Sequence, residues 1–258
     1  MTCSSPTRSP TLITVASYNI HGGVGIDRRR DLDRLAGVIA EMQPDVIGLQ
    51  EAICAEGAAD ADQPGYLASK LSMTVIMGAT RPSGSGSFGN AILTRLPVIA
   101  STSHDLSHGR YERRGCLRVD LAADGAIVHF FNCHFGRRFK ERREQLGLLA
   151  ALLTVTDVQG PRVLVGDFNE WHRGPITRGL RREFPSLRSR VCRTYPSTFP
   201  IFALDRIYWD SDLEGAGLRA HRSRLARVAS DHLPVVAPLR VRAPRPSPLG
   251  GDVSNSSA

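Results

Sequence analysis

Long apolar runs are missing from this sequence. No stretch approaches 18 consecutive apolar residues, so no segment reads as a membrane-spanning helix, and stable membrane insertion is not expected. The opening "MTCSSPTRSP" lacks the apolar centre of a signal peptide, which points to the cytoplasm. Cysteine is sparse and odd in number: Cys3, Cys54, Cys116, Cys133 and Cys192, with no CxxC. A disulfide framework or a zinc knuckle is therefore not expected, and the cysteines read as mostly buried free thiols in a reducing compartment. Aromatic residues make up only 6% and show no regular interleaving with basic residues of the kind that stacks bases. Acidic charge is in deficit, at 25 acidic against 33 basic residues, a formal +8. That excess admits nucleic acid, anionic lipid heads or phosphorylated metabolites as partners and selects none of them.

What is present suffices for a core. With 258 residues and 41% apolar content, one large α/β domain or two small ones are allowed. Residues 1–10 read as a loose tail, and 243–258 as a disordered one, rich in Pro, Ser and Gly. The folded body is residues 11–242, and with no composition break inside it one domain is preferred. "TLITVASYN" reads as a strand and "DVIGLQE" as another. Between them, Leu32, Leu35, Val38, Ile39 and Met42 recur at helical spacing behind Asp31, a candidate cap. This order suggests a crossover unit. "FGNAILTR", "CLRVDLAADG" and "AIVHFFNCH" look like antiparallel strands, with the Asp124–Gly125 pair as a hairpin signal. A helix is expected from about Phe139 to Leu153, with Leu146, Leu149, Ala150 and Leu153 as its apolar stripe. "RVLVGDFN", "LDRIYW" and "HLPVVAPLRV" complete the strands, with a short helix near "PITRGLRREF". Two mixed sheets packed face to face would account for the strand number.

Several of these apolar strands run into polar groups. Asn19 and His21 end the first, Glu51 the second. Asn132 and His134 follow "FF", Asp167 and Asn169 follow "VG", Asp205 begins "DRIYW", and Asp231 and His232 precede the last strand. Residues i and i+2 of a strand share a face, so Asp167 with Asn169, and Asn132 with His134, should each look into one pocket, while Asp231 and His232 should diverge. Glu51, Asp167 and Asp231 offer carboxylates, and Asn19 and Asn169 amide oxygens. Such hard donors suit Mg2+ or Mn2+. A histidine paired with an acid suits proton transfer. The combination points to metal-assisted attack of water on phosphorus.

The set "YNIHGG", "IGLQE", "GNAILTR", "NCHFG", "VGDFNE", "LDRIYW" and "SDHLPV", in this order from Tyr18 to Val236, resembles the endonuclease/exonuclease/phosphatase (DNase I-like) superfamily, in the form of an uncharacterised bacterial-type member. The resemblance implies a four-layer α/β/β/α sandwich and a metal-dependent phosphoric ester hydrolase. It implies Glu51, Asn19 and Asp231 as metal-site residues. It implies His232, Asp205, Asp167, Asn169 and His134 as catalytic, with Asp205 orienting His232. Whether Asp167 or the His232–Asp205 pair activates water stays open. His21 stands where abasic-site endonucleases carry an aspartate, and those enzymes lack a histidine at the position of His134, so an abasic-site repair role is not expected. "HGRYERRGCLRV" is similar to a strand start in bacterial relatives, which makes Arg114 and Tyr111 candidate phosphate contacts, beside Asn132, Asn90 and His21 as substrate-binding candidates.

Some readings remain double. His21 either faces the site or turns away, and Asn90 either supports the pocket or closes a turn. The basic run 137–143 is either a phosphate-attracting patch or a solvated helix face. The expected substrate is a DNA or RNA phosphodiester. The alternatives are a small phosphorylated metabolite or a phospholipid headgroup, and, in a different class, a non-catalytic binding scaffold.

Overall fold

A computed structural model describes residues 12–57, 61–154, 158–172, 174–181, 184 and 192–242. The two expected tails, and much of the loop after Arg181, lie outside these.

The first sheet is nucleated by β1 (Leu12–Asn19) and β2 (Val46–Cys54), which run parallel and are joined through α1 (Leu32–Met42). This is the crossover unit expected from the sequence. Asp31 caps α1, its Oδ1 accepting from Arg34 N at 2.9 Å, and Leu32, Leu35, Val38, Ile39 and Met42 are all buried. Beyond β2 come α2 (Gln63–Leu71), β3 (Thr74–Ser83) and β4 (Gly86–Thr94). The second sheet holds β5 (Val98–Asp105), β6 (Gly115–Ala123), β7 (Ala126–His134), β8 (Arg162–Asp167) and β9 (Asp205–Trp209) in that order. β6 and β7 form the hairpin signalled by Asp124–Gly125, both in left-handed conformation, as a two-residue turn requires. α3 (Phe139–Leu153) covers the outside of this sheet with α4 (Pro175–Leu180). The chain then returns to the first sheet through β10 (Leu213–Gly215), β11 (Arg219–Ala220), α5 (Ala226–Ala229) and β12 (Val235–Val241), giving the order β10-β12-β1-β2-β4-β3 with β11 beside β12.

Alternation along the strands sorts the side chains into three apolar layers. Tyr18, Ile47 and Leu49 face α1 and α2. Ile13, Val15, Val46, Phe130, Val163, Val165, Ile207 and Val235 meet between the sheets. Phe131, Cys133, Leu164 and Tyr208 face α3 and α4. The protein is thus an α/β/β/α sandwich. Gly48 lets the sheets approach at its centre: a Cβ there would stand 2.6 Å from Val165 Cγ2 and 2.9 Å from Asn132 Oδ1.

Candidate active site at the mouth of the sandwich

The strand register that builds the inter-sheet core also builds the site. On β1, Ile13 and Val15 face the other sheet, and the same phase continues through Ser17 to Asn19. On β7, Val128 and Phe130 lead to Asn132 and His134. On β8, Val163 and Val165 lead to Asp167, and on β9 Ile207 and Trp209 are preceded by Asp205. Each series ends in a polar group at the same end of the sandwich.

Glu51 joins them by a different route. Strict alternation after Ile47 and Leu49 would turn Glu51 toward the helices. The register of β2 against β4 slips between Leu49 and Ala52, and Glu51 sits at φ +58°. This bulge re-aims its carboxylate into the mouth, where Oε1 accepts from Asn19 Nδ2 at 3.1 Å. The same amide nitrogen donates to Asp167 Oδ2 at 3.1 Å. Asn19 Oδ1 meanwhile accepts from His21 N at 3.0 Å, so Asn19 presents its NH2 to two carboxylates and holds them together.

Around Asp167 Oδ2 stand His134 Nε2 at 3.6 Å and His232 Nε2 at 3.8 Å. Its other oxygen, Oδ1, accepts from Asn169 N at 2.9 Å. Asn169 lies beyond the end of β8 with φ +48°, so it reaches the site through a tight turn rather than through strand alternation. Its Nδ2 donates to Phe135 O at 2.8 Å and lies 3.2 Å from His134 Nε2. Gly166 makes the approach of β8 to β7 feasible: a Cβ would stand 1.9 Å from Cys133 O.

The two histidines differ in charge. Arg114 Nη1 lies 3.3 Å from His134 Nδ1, and because arginine only donates, Nδ1 accepts and the imidazole proton rests on Nε2, toward Asp167 and Glu51. Burial, with Arg114, His232 and Arg137 nearby, holds His134 well below the usual histidine range, so it is neutral at pH 7. His232 Nδ1 donates to Asp205 Oδ2 at 2.8 Å. Burial opposes charge on His232, but Asp205, with Asp167 and Asp231 adding to it, outweighs burial and raises its pKa. Burial also pushes the Asp167 carboxyl up, against the pull of His232 and with Asp205 adding to the push.

Asp167, Asp205 and His232 each offer a ligand atom within 4.8 Å of the others, a buried group able to hold a divalent cation. The sequence reading assigns these three to catalysis and the metal to Glu51, Asn19 and Asp231; Glu51 stands beside the cluster through the shared Asn19 amide. The donor chemistry fits a hard cation. Asp167 and Asp205 offer carboxylate oxygens within 4.8 Å of each other, the Glu51 carboxylate shares the Asn19 amide with Asp167, and Asp205 Oδ1 is buried with no hydrogen-bond partner.

The remaining candidates sort by depth. Asn132 is fully buried one layer below the mouth. Its Nδ2 donates to Leu49 O and Ala91 O, both at 2.9 Å, and its Oδ1 accepts from Gln50 Nε2 at 2.7 Å. Asn90 donates to Gly115 O at 2.9 Å in the same layer. These amides stitch the sheets together beneath the site. Arg114 is buried, tied to Glu112 at 2.8 Å as well as to His134. Tyr111 is exposed on the rim, with Arg138 over its ring at 5.5 Å. Asp231 is half-buried, its Oδ1 3.8 Å from Nδ1 of the exposed His21, while His232 is buried. Within the basic run, Arg142 is neither free nor solvated. It is buried and caps Gly136 O and Arg137 O. Sequence reasoning passed over Tyr195, whose ring lies 4.9 Å from that of His232, and Glu170, which continues the "GDFN" turn into the core. An aromatic on an irregular loop carries no periodic signal that would have marked Tyr195.

Residues 16–232 match the family described as Endonuclease/Exonuclease/phosphatase family. "Uncharacterized protein YbhP" of Escherichia coli (strain K12) is 30% identical over 243 residues, spanning 88% of this chain and 96% of that protein. Among solved structures, an endonuclease/exonuclease/phosphatase family protein from Bacteroides thetaiotaomicron superposes with a TM-score of 0.75 at 19% identity, covering 92% of this chain and all of that one. A mannosyl-6-phosphatase of the same organism superposes with a TM-score of 0.72 at 19% identity, covering 88% and 99%.

Proposed function

The chain belongs to the endonuclease/exonuclease/phosphatase family, and from that premise we propose that it is a Mg2+-dependent phosphodiesterase that hydrolyses nucleic-acid phosphodiester bonds by in-line attack of water. The observation that carries this reading is the environment of Asp167 Oδ2. It is ringed by Asn19 Nδ2, His134 Nε2 and His232 Nε2 at 3.1, 3.6 and 3.8 Å, beside the carboxylate of Glu51.

Glu51 is the residue that would hold the cation, beside the Asp167–Asp205–His232 group, with Mn2+ as its alternative. When bound, the cation supplies Lewis-acid neutralisation of phosphoryl charge. The protein's own groups do the rest. Asn19 keeps the Glu51 and Asp167 carboxylates at a fixed separation. Asp167, raised toward the basicity that suits a general base, accepts the proton of the attacking water at Oδ2. Asp205 fixes the ring of His232 through Nδ1 and sustains its charge, so that Nε2–H faces the phosphoryl oxygens. The neutral His134 offers a second N–H from the other side, steadied by Arg114. Both donors act where negative charge builds in the transition state. Asn132 and Asn90 act from below, by setting the distance between the sheets.

The basic excess of the chain, including exposed Arg137 and Arg138 beside the mouth, favours a polyanionic substrate. No helix among the described residues is long and apolar enough to cross a membrane. The test is a hydrolysis panel of plasmid DNA, single-stranded DNA, RNA, phospholipid and inositol phosphates, run with Mg2+ and with EDTA. Mg2+-dependent, EDTA-abolished cleavage of a nucleic acid is expected. Cleavage confined to lipid or sugar phosphates would overturn the substrate assignment. Binding without hydrolysis of any member would overturn the enzymatic one.

A further inference from the structure

Beside the catalytic mouth lies a set of rings that the chemistry above does not use. Trp171, two residues past Asn169, is 47% exposed, and its ring lies 4.5 Å from that of Phe202 and 6.3 Å from that of Tyr195. Tyr195 in turn lies 4.9 Å from the imidazole of His232. The series His232–Tyr195–Trp171–Phe202 thus runs outward from the reacting centre. Past it, Phe199 stands 76% exposed.

This shelf is held in place. Tyr195 N donates to Phe202 O at 3.1 Å and Phe202 N to Tyr195 O at 2.9 Å, closing the loop between them. Ser197 N donates to Asp231 O at 2.7 Å, Leu233 N to Thr194 O at 2.9 Å, and Asp205 N to Thr194 Oγ1 at 3.3 Å. The loop is tied to the same segments that carry His232 and Asp205. Arginines border its back: Arg227 Nη1 donates to Thr198 O at 3.0 Å and Arg222 Nη2 to Arg193 O at 3.3 Å. Exposing large rings to water is unfavourable, and fixing them next to a catalytic centre is the arrangement of a binding surface.

We propose that Trp171, Tyr195 and Phe202 form a subsite that stacks the nucleobase next to the scissile phosphate. The neighbourhood suits a nucleotide: flat rings stand directly beside a phosphate-handling mouth, on a loop whose carbonyls are bound from behind by Arg227 and Arg222. Stacking of this kind tolerates any base, since each presents a π-face. The subsite rests on the nucleic-acid reading above and narrows it.

The experiment compares two oligomers with the same sugar-phosphate backbone, oligothymidylate and its base-free analogue, with Mg2+ and purified full-length protein. The wild type should show a KM about tenfold lower for oligothymidylate. Trp171→Ala should treat the two alike, and Trp171→Phe should restore most of the preference. Without metal, oligothymidylate should quench tryptophan emission and the base-free oligomer should not. The protein's other tryptophan, Trp209, is buried, so the signal reports Trp171. Equal cleavage of both oligomers by the wild type, with equal quenching, overturns the subsite and leaves the nuclease reading standing. Cleavage of neither, with Trp171-dependent hydrolysis of anionic phospholipid vesicles instead, overturns both and assigns the shelf to lipid.

Discussion

Asp205 and Arg206 are neighbours on β9 and face opposite sides of one sheet, and the two polar networks they enter are built differently. On the outer face, Arg206 bonds Glu170 Oε2 at 2.9 Å, Glu170 O at 2.9 Å, Ala203 O at 3.0 Å, Tyr208 OH at 3.0 Å and Thr177 Oγ1 at 2.6 Å. Glu170 also accepts from Ile176 N at 2.9 Å, from Thr177 N at 3.2 Å and from the Thr177 hydroxyl, anchoring the start of α4. Both side chains are buried and well supplied with partners. On the inner face, Asp205 Oδ1 has none, Asp167 is pushed up by burial, and His134 is kept neutral. A network that only holds the fold saturates its hydrogen bonds. One that handles a substrate keeps spare capacity aimed at a common point.

Substitution separates the two. The largest effect is expected from Asp167→Asn, which should lower kcat by about 10³-fold, within the range for loss of a general base. Its circular dichroism and unfolding midpoint should match wild type, since a buried carboxylate that burial disfavours contributes little to stability. Retained turnover would place the proton acceptor elsewhere. Next comes Arg206→Ala, which leaves Glu170 buried and uncompensated. Denaturant unfolding should register a loss of about 3–5 kcal/mol. A loss below 1 kcal/mol would mean that the outer network is not what binds α4 to the sheet.

The pH dependence of stability sharpens the contrast. For Glu170, burial raises the carboxyl, but the Thr177 hydrogen bond and the charge of Arg206 together bring it below the ordinary value. A depressed carboxyl stabilises the fold fully above the ordinary value of 4.5 and loses that contribution as pH falls through the lower folded value. Wild type should therefore lose melting temperature more steeply below about pH 4.5 than Glu170→Gln does. Parallel curves would assign the acid sensitivity to other groups. The smallest effect lies outside both networks and calibrates them. Asp31→Ala removes the cap of α1 and should cost about 1 kcal/mol in the same unfolding assay, with turnover unchanged. A turnover change there would tie α1 to the mouth.

Much of this was legible in the residues, for reasons that differ by element. The stripe from Leu32 to Met42 and its cap declared α1, and the bounds of α3 match expectation at both ends. β5 was not read because it is an edge strand exposed nearly throughout, with "STSHD" carrying no alternation, and β3 is an edge strand only half buried. Within the site, period-two spacing reports that Asn132 and His134 share a face, but it says nothing of depth. His134 reaches the mouth while Asn132 is spent on Leu49 O and Ala91 O. For Asn169 the expected proximity to Asp167 arises from a left-handed turn, which pattern reading mistakes for a continuing strand. Distances between histidines and carboxylates from remote strands depend on sheet packing, and no local pattern encodes them.

The bulge in β2 gives that strand two phases. Up to Leu49 its odd and even positions obey one assignment of inside and outside, and past Glu51 they obey another, with Ala52 back against the helices. Deleting Glu51, the one residue between Gln50 and Ala52, would therefore restore a regular ladder and take the carboxylate with it. The result would be a well-paired sheet without its acid. Transplanting this centre into another sandwich means carrying the surplus residue along with the glutamate.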